Sequence, residues 1–556
     1  MLQKKTELAS YLFIFIISVV FVFDLFLQPG IPTTFDGPTH VANIAQVYGA
    51  LADGEFPARW GNGFARYGLP IPIFAQQVTS YLGAFLTFIT GNVVTSYNLV
   101  VFLGVFLATV LLYRFLRYYV SPLPALIGAA VFHFAPYRIN NVYVRGALPE
   151  FFSSIFTIMT LISLQIIFER KQIRGYFLLI LSLTLLLLTH PFMAVVTAIF
   201  AGIYTLWLIR DNKHKRNHII ALGTAGAAAI GLAGYYLVPL FVEIRYFFYG
   251  SGGSYSHFLP GHFLSWQQFV TERWPYFFGG DIFPRPHIHQ IGLLELAVIM
   301  TAFVVAVVQY KRKKQLALIH VVALTVAVYV FFLTSFSEIL YTKILPLGNI
   351  QHPWRMFSGF ILLPGILAAL LLERYKKYTI VGAIIIITAI SVMRIPQLYG
   401  KNSTKQEYVR HFVTEDNLHG PVMNTVWMGE TRSYPFRSQK ARIIDGKGTI
   451  TAREEKNASR KYTIQAETPV RLVDYTFYFP GWMAYVDGKP TTIEFQDPNY
   501  RGALTYNLPA GTHEVLLRFE ETKIRIVGDL MTLVSIAGMI MLWLSRQRIA
   551  KFLMLK

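Results

Sequence analysis

Apolar runs long enough to cross a bilayer recur along the chain, separated by short polar connections. A spanning helix needs about 20 apolar residues for a hydrocarbon layer of about 30 Å. Twelve segments meet that requirement, at 8–28, 94–113, 120–136, 148–168, 175–189, 192–209, 219–240, 291–310, 315–334, 354–372, 378–395 and 526–545. The first follows Lys4 and Lys5 and reaches Gln28-Pro29-Gly30 without a small-residue cleavage site, so it reads as an uncleaved anchor with its amino end inside. Two stretches break the pattern. Residues 73–90 are long enough to cross but carry Gln76, Gln77, Thr79 and Ser80 in their first half. Residues 396–525 hold KYTIQAE, VRLVDYTFYF, TTIEF, ALTYNL and HEVLLRF, alternating or rich in β-branched and aromatic residues and punctuated by VDGKP and PAGTH. That pattern predicts the strands and turns of a small β-sandwich.

Charge decides the ambiguous segment. The chain has 50 Lys and Arg against 30 Asp and Glu, a formal net charge of +20. If 73–90 lies along the surface, 22 of those cations share one side with only Glu7, Glu169, Asp211 and Glu373. They are Lys4, Lys5, Arg114, Arg117, Arg170, Lys171, Arg174, Arg210, Lys213, Lys215, Arg216, the 311–314 run, Arg374, Lys376, Lys377, Arg546, Arg548, Lys551 and Lys556. Cytoplasmic loops carry such an excess, so that side and both termini are read as cytoplasmic. If 73–90 crossed, 20 of the 22 would be outside, so it is assigned as a juxtamembrane helix. The cations are spread over seven short loops and form no single basic face, which removes nucleic acid as the partner. With 54% hydrophobic and 14% charged residues and a mean hydropathy of +0.45, a soluble multidomain enzyme is excluded. The chain has no cysteine, so any metal must be held by His, Asp or Glu.

The expected fold is an all-α polytopic membrane bundle of about 12 spans over residues 1–395, with juxtamembrane helices in the outer loop 29–93. An extracytoplasmic β-sandwich-like domain follows over 396–525, then a C-terminal anchor and basic tail over 526–556. The ionisable residues Asp24, Glu243, Glu295 and Asp529 fall toward the predicted outer ends of spans. A transporter generally needs charge or broken helices at mid-depth, so chemistry is expected at the outer interface.

The outer loops offer several candidates, each with a second reading. Asp36 and His40 in FDGPTH open a predicted helix whose apolar face is Val41, Ile44, Ala45, Tyr48 and Leu51. Asp36 either caps that helix or points with His40 into a cleft. Arg145 and Glu150 lie five residues apart, so Glu150 either pairs with Arg145 or serves a metal or acceptor. Arg355 sits beside Trp354, where it is either an interfacial anchor or an anion ligand. Arg138 reads as an interface anchor, and Arg59 and Arg66 as helpers. His190, before Pro191, either caps carbonyls or reaches the cleft; Glu243, Glu338 and His352 are possible cavity lining. Asp281 lies in the same outer loop as His287 and His289, which form a weak metal pattern. Tyr478, Trp482 and Tyr485 suit either a sugar face or the sandwich core, with the core favoured. Asn402 and Asn457 head glycosylation sequons.

FDGPTH, PYRINNVYVRGALPE, LLLLTHP, YYLVPLFVE, HPWRM and YFPGWMAYVDGKP, followed by LPAGTHEVLLRFEE, resemble the GT-C superfamily of polyprenyl-phosphate-sugar glycosyltransferases. Within it they look most like bacterial multispan proteins labelled 6-pyruvoyl-tetrahydropterin synthase-related, and like the membrane proteins implicated in glycosylating lipoteichoic acid. The pterin activity in that label would require a zinc-binding histidine cluster in a compact soluble domain, which this sequence lacks. The resemblance implies an inverting transfer from a polyprenyl-phosphate-linked sugar to an extracytoplasmic glycan, lipid or polymer. It implies Asp36 as general base, and Arg145 and Arg355, helped by Arg59 and Arg66, as phosphate ligands. Glu150 and His40 would be a second acid and a metal ligand; a divalent Mg or Mn ion on Asp36, His40 and Glu150 is the one cofactor suggested. The expected setting is the plasma membrane. The alternative is a noncatalytic protein of envelope assembly or lipid handling, which would use the same bundle without Asp36 chemistry.

Overall fold

The computed structural model describes residues 2–27, 30–63, 66–248, 263–265, 291–344, 347, 350, 352–398, 403, 404, 424–428 and 439–555. Among these, eight helices are long and apolar enough to cross a bilayer: Lys5–Leu27, Val93–Leu116, Leu148–Phe168, Pro191–Ile209, Leu293–Lys313, Pro353–Arg374, Lys376–Met393 and Lys523–Leu544. Two further pairs pass together but are bent, Lys215–Leu232 with Gly234–Tyr246 by 71° and Leu318–Leu333 with Ser335–Lys343 by 81°. Pro122–His133 and Arg174–Thr189 are apolar but shorter. Every one of the twelve segments read from the sequence coincides with one of these helices or pairs. Residues 73–90 instead fold as Ile71–Phe74 and Gln77–Thr90, neither of which is a candidate span.

The two ends of the bundle differ in kind. At one end Glu7 accepts hydrogen bonds from Tyr113 and Arg117, Glu373 accepts from the Ser121 amide and hydroxyl, and Arg374 donates to Gln309. The short basic connections therefore meet on the same end. At the other end a β-domain packs on the 53–75 loop.

That domain consists of β1 (Ala441–Asp445), β2 (Gly448–Glu455), β3 (Ser459–Ala466), β4 (Val470–Phe477), β5 (Trp482–Val486), β6 (Lys489–Thr491), β7 (Ala503–Leu508) and β8 (Gly511–Phe519). All pairings are antiparallel, giving a five-stranded sheet ordered β6-β5-β8-β3-β2 and a three-stranded sheet ordered β7-β4-β1. Tyr462, Ile464, Leu472, Ala484, Leu504, Tyr506, Val515 and Leu517 from both sheets form one core, as period-two alternation requires of a sandwich. The TTIEF segment departs from expectation, since only Thr491 lies in a strand and Glu494 makes an isolated bridge to Thr505.

Polar contacts anchor the domain. Asn457 donates to Trp60 O and to Glu55 Oε2 (3.0 Å) and is itself buried, so this sequon asparagine serves packing. Trp60 meets Trp482 edge-on at 5.1 Å, and Trp482 is core. Tyr478 stacks on Phe495 at 3.6 Å, and the Tyr485 hydroxyl donates to Glu520.

Residues 137–147, expected to form an outer loop, are buried throughout. Pro122–His133 covers about 18 Å at 1.5 Å per residue, short of a full crossing, and the chain continues from it through buried residues. There Pro136–Asn140 leads into a π-helical turn, Asn141–Arg145. Arg138 is accordingly no interface anchor. It is 1% exposed, donates to Gly104 O and Val105 O midway along Val93–Leu116, and lies 4.2 Å over the Phe132 ring. Charge at depth and bent helices, which the sequence did not suggest, are therefore both present.

Candidate active site

The site forms where the start of helix Gly37–Ala52 meets the π-helical turn. The Asp36 amide donates to Arg145 O at 2.7 Å, and the Phe35 amide to Val144 O at 3.3 Å. Two glycines permit this approach. A Cβ on Gly146 (φ 67°) would lie 2.4 Å from Thr34 Oγ1 and 2.6 Å from Gly37 N, and one on Gly37 would lie 2.3 Å from Thr34 Oγ1. Gly146→Ala is therefore expected to separate Asp36 from Arg145. Any transfer activity should fall well beyond the small loss of expression that positive φ alone imposes, as read from initial rates normalised to folded protein.

Asp36 stands at the N-cap position, but its side chain makes no capping bond. Thr34 Oγ1 accepts from the Gly37 amide instead, at 3.2 Å. The stripe of Asn43 and Val47, expected to line a cleft with His40, is buried together with Gln46 and Ala50 and beside Val41 and Ile44, and the 53–75 loop covers part of it.

Arg145 and Glu150 form the buried centre. Glu150 Oε1 accepts from Tyr137 (2.5 Å), Asn141 (3.4 Å), Arg145 Nη1 (2.9 Å) and Ser358 (2.8 Å). Its Oε2 lies 3.6 Å from Arg355 Nε. Arg145 Nη1 also donates to Tyr137 and Asn141, at 2.9 and 2.8 Å, while its Nη2 and Nε make no hydrogen bond among the described residues. Tyr137, Asn141 and Arg145 recur every four residues and share a face, a spacing visible in PYRINNVYVR but not singled out. Ser358 carried no sequence signal. Two guanidinium groups, Arg145 and Arg355, thus flank the Glu150 carboxylate, and the charge of Asp36 acts on Arg145 as well, so two cations stand near two anions.

His40 and His190 complete the electrostatic neighbourhood. Burial lowers His40 to about 4, against the nearby Asp36 and with the help of Arg145. Burial lowers His190 to about 3, and Arg355 and Arg145 push the same way. Both rings are neutral at physiological pH. The unfolded chain takes up these protons below about 6.5 while the folded one does not. Stability is thus complete above pH 6.5 and falls as pH drops toward 4, which thermal unfolding in detergent across that window measures.

Other candidates lie in different networks. Arg59 donates to Glu521, Asp529 and Tyr235 O, and Arg66 pairs with Glu455 at 3.7 Å. Glu243 accepts from Arg525 and Thr522. Glu338 is exposed on Glu338–Lys343, and His352 stacks on Trp354 at 4.2 Å. Asp281, His287, His289 and Asn402 lie outside the described residues. Among the described residues no three of His, Asp or Glu gather as a metal site. Asp36, His40 and Glu150 do not gather as such a group, and Glu150 Oε1 already accepts from four donors.

Residues 78–399 match the 6-pyruvoyl-tetrahydropterin synthase related domain, a membrane-protein family. The chain belongs to that family. The site of this pterin-synthase-related chain draws on the matched region for Arg145, Glu150, His190 and Arg355, while Asp36 and His40 precede it. Two solved structures of an Archaeoglobus fulgidus oligosaccharyltransferase, one in the apo form and one in complex with Zn and sulfate, are similar to it at 12% and 11% identity. Their TM-scores are 0.41 and 0.42, over 78% and 76% of this chain. The chain spans 62% and 59% of the length of those structures. No curated protein matches it.

Proposed function

We propose that this protein is a plasma-membrane glycosyltransferase of GT-C type, moving a sugar from a polyprenyl-phosphate donor to an extracytoplasmic glycan, lipid or polymer. The observation that carries the reading is the backbone contact that sets Asp36, whose carboxylate is not spent on capping, beside Arg145, whose guanidinium is held through Nη1 alone among the described residues. The acceptor hydroxyl attacks the anomeric carbon while its proton passes to Asp36. The bond from that carbon to the phosphate oxygen breaks, and polyprenyl phosphate leaves with the electron pair, inverting the centre. Arg145 and Arg355 stabilise the phosphate, with Glu150 holding both in place. Protonation of Asp36 leaves the cluster with one net positive charge as the leaving phosphate gains one negative charge. Both termini and the basic loops are cytoplasmic in this reading, and the β-domain is outside. No step is routed through a metal.

A second reading has one observation in its favour. Glu150 already pairs with both Arg145 and Arg355, as a purely structural ion cluster would. Proteoliposomes supplied with radiolabelled polyprenyl-phosphate sugar and an envelope extract separate the two. Label reaching an acceptor supports the enzyme, and label remaining on the donor with every acceptor fraction supports a noncatalytic role.

A further inference from the structure

His190 reaches the cluster from an element that no other member shares. It is the single residue between Arg174–Thr189 and Pro191–Ile209, with extended backbone at φ −162° and ψ 98°. The following proline disfavours helical geometry at this residue, which turns the ring out of the helix line. The ring lies edge-on to Phe192 at 6.0 Å, and its Nδ1 is buried with no hydrogen-bond partner among the described residues. The expected alternative, capping of carbonyls, is not what the ring does.

A buried imidazole nitrogen without a partner is costly unless a ligand or water meets it. The charged groups around it are Arg355, Glu150 and Arg145. Two guanidinium groups repel a cation there, and the Nη2 and Nε arms of Arg145 offer further donors that no acceptor among the described residues uses. An anion with several acceptor oxygens satisfies both.

We infer that His190 is a hydrogen-bond donor to the lipid phosphate held beside Arg145, a diester in the sugar donor and a monoester in the leaving polyprenyl phosphate, and this rests on the proposed lipid-phosphate donor. Burial and the two arginines keep the ring neutral, so it donates without adding charge. His190 thus joins the arginines as a contact that distinguishes polyprenyl phosphate from the uncharged polyprenol.

Equilibrium binding to the full-length protein in nanodiscs tests this, with polyprenyl monophosphate, polyprenol and inorganic phosphate as probes. Wild type is expected to prefer the lipid phosphate over polyprenol. His190→Leu should weaken lipid-phosphate binding about 10- to 100-fold, the worth of a hydrogen bond to a charged group. His190→Gln should recover most of it, and polyprenol binding should not change in either variant. Equal lipid-phosphate affinity in wild type and His190→Leu overturns the role of His190 while leaving the donor assignment standing. Equal affinity of wild type for lipid phosphate and polyprenol overturns both. Inorganic phosphate binding as tightly as the lipid, with the same His190→Leu loss, keeps the phosphate site but assigns it to free phosphate.

Discussion

Asp36→Asn is expected to lower sugar transfer about 10²- to 10⁴-fold, the contribution of a positioned general base. Stability should be nearly unchanged. The substitution keeps the shape of the side chain and the 2.7 Å amide bond to Arg145 O, and Thr34, not Asp36, caps the helix. Asn caps a helix as well as Asp, so Asp36→Ala is the variant that tests capping. It would cost about 1 kcal/mol if the side chain capped, and an unaltered melting curve for it, with transfer silenced in Asp36→Asn, separates catalysis from capping. Initial rates at saturating donor, set beside thermal unfolding of the same preparations, provide both readings. Undiminished transfer by the Asn variant would remove Asp36 as the base.

Glu150→Gln is expected to be the most destabilising single substitution at the site. The carboxylate is 2% exposed, accepts four hydrogen bonds on Oε1 and is the counter-charge to Arg145 and Arg355. Removing one partner of a buried ion pair leaves the remaining charge uncompensated, which costs about 3–5 kcal/mol. The loss should appear as a large fall in detergent-extracted folded yield and in unfolding midpoint. Replacing Glu150 and Arg145 together by Met should be less damaging than Glu150→Gln, since apolar substitutes for a whole pair are often tolerated. A Gln variant as stable as wild type would show that Glu150 carries no such charge role.

The spans were legible because an apolar run of about 20 residues has the length of a bilayer crossing and exceeds what most soluble core helices carry. That 73–90 is not a span was legible for a different reason. Its polar first half is ambiguous alone, but the alternative inverted 20 of 22 cations, and the structure indeed gives it no spanning helix. The 137–147 segment departs from its pattern. Its apolar residues match a loop between two spans, whereas the structure buries it, and burial of Arg138 against backbone carbonyls leaves no periodic trace. Asp36 and Arg145 stand in separate motifs, and their contact depends on Gly37 and Gly146 permitting two backbones to touch, a tertiary fact. The mutual commitments of Arg59 with Glu521 and Asp529, and of Glu243 with Arg525, were hidden by separations of several hundred residues.

The central claim is that Asp36 opens into a headgroup-level phosphate pocket on the β-domain side. The chain has no cysteine, so a single Asp36→Cys substitution can be labelled without background. Lys489→Cys on the β-domain and Lys213→Cys at the basic end, both exposed positions, serve as side markers. With a membrane-impermeant maleimide on intact cells, the account predicts labelling at positions 36 and 489 but not 213, and protection of position 36 by added polyprenyl phosphate. Labelling at position 36 only when position 213 also reacts, or no protection by the lipid phosphate, would contradict it.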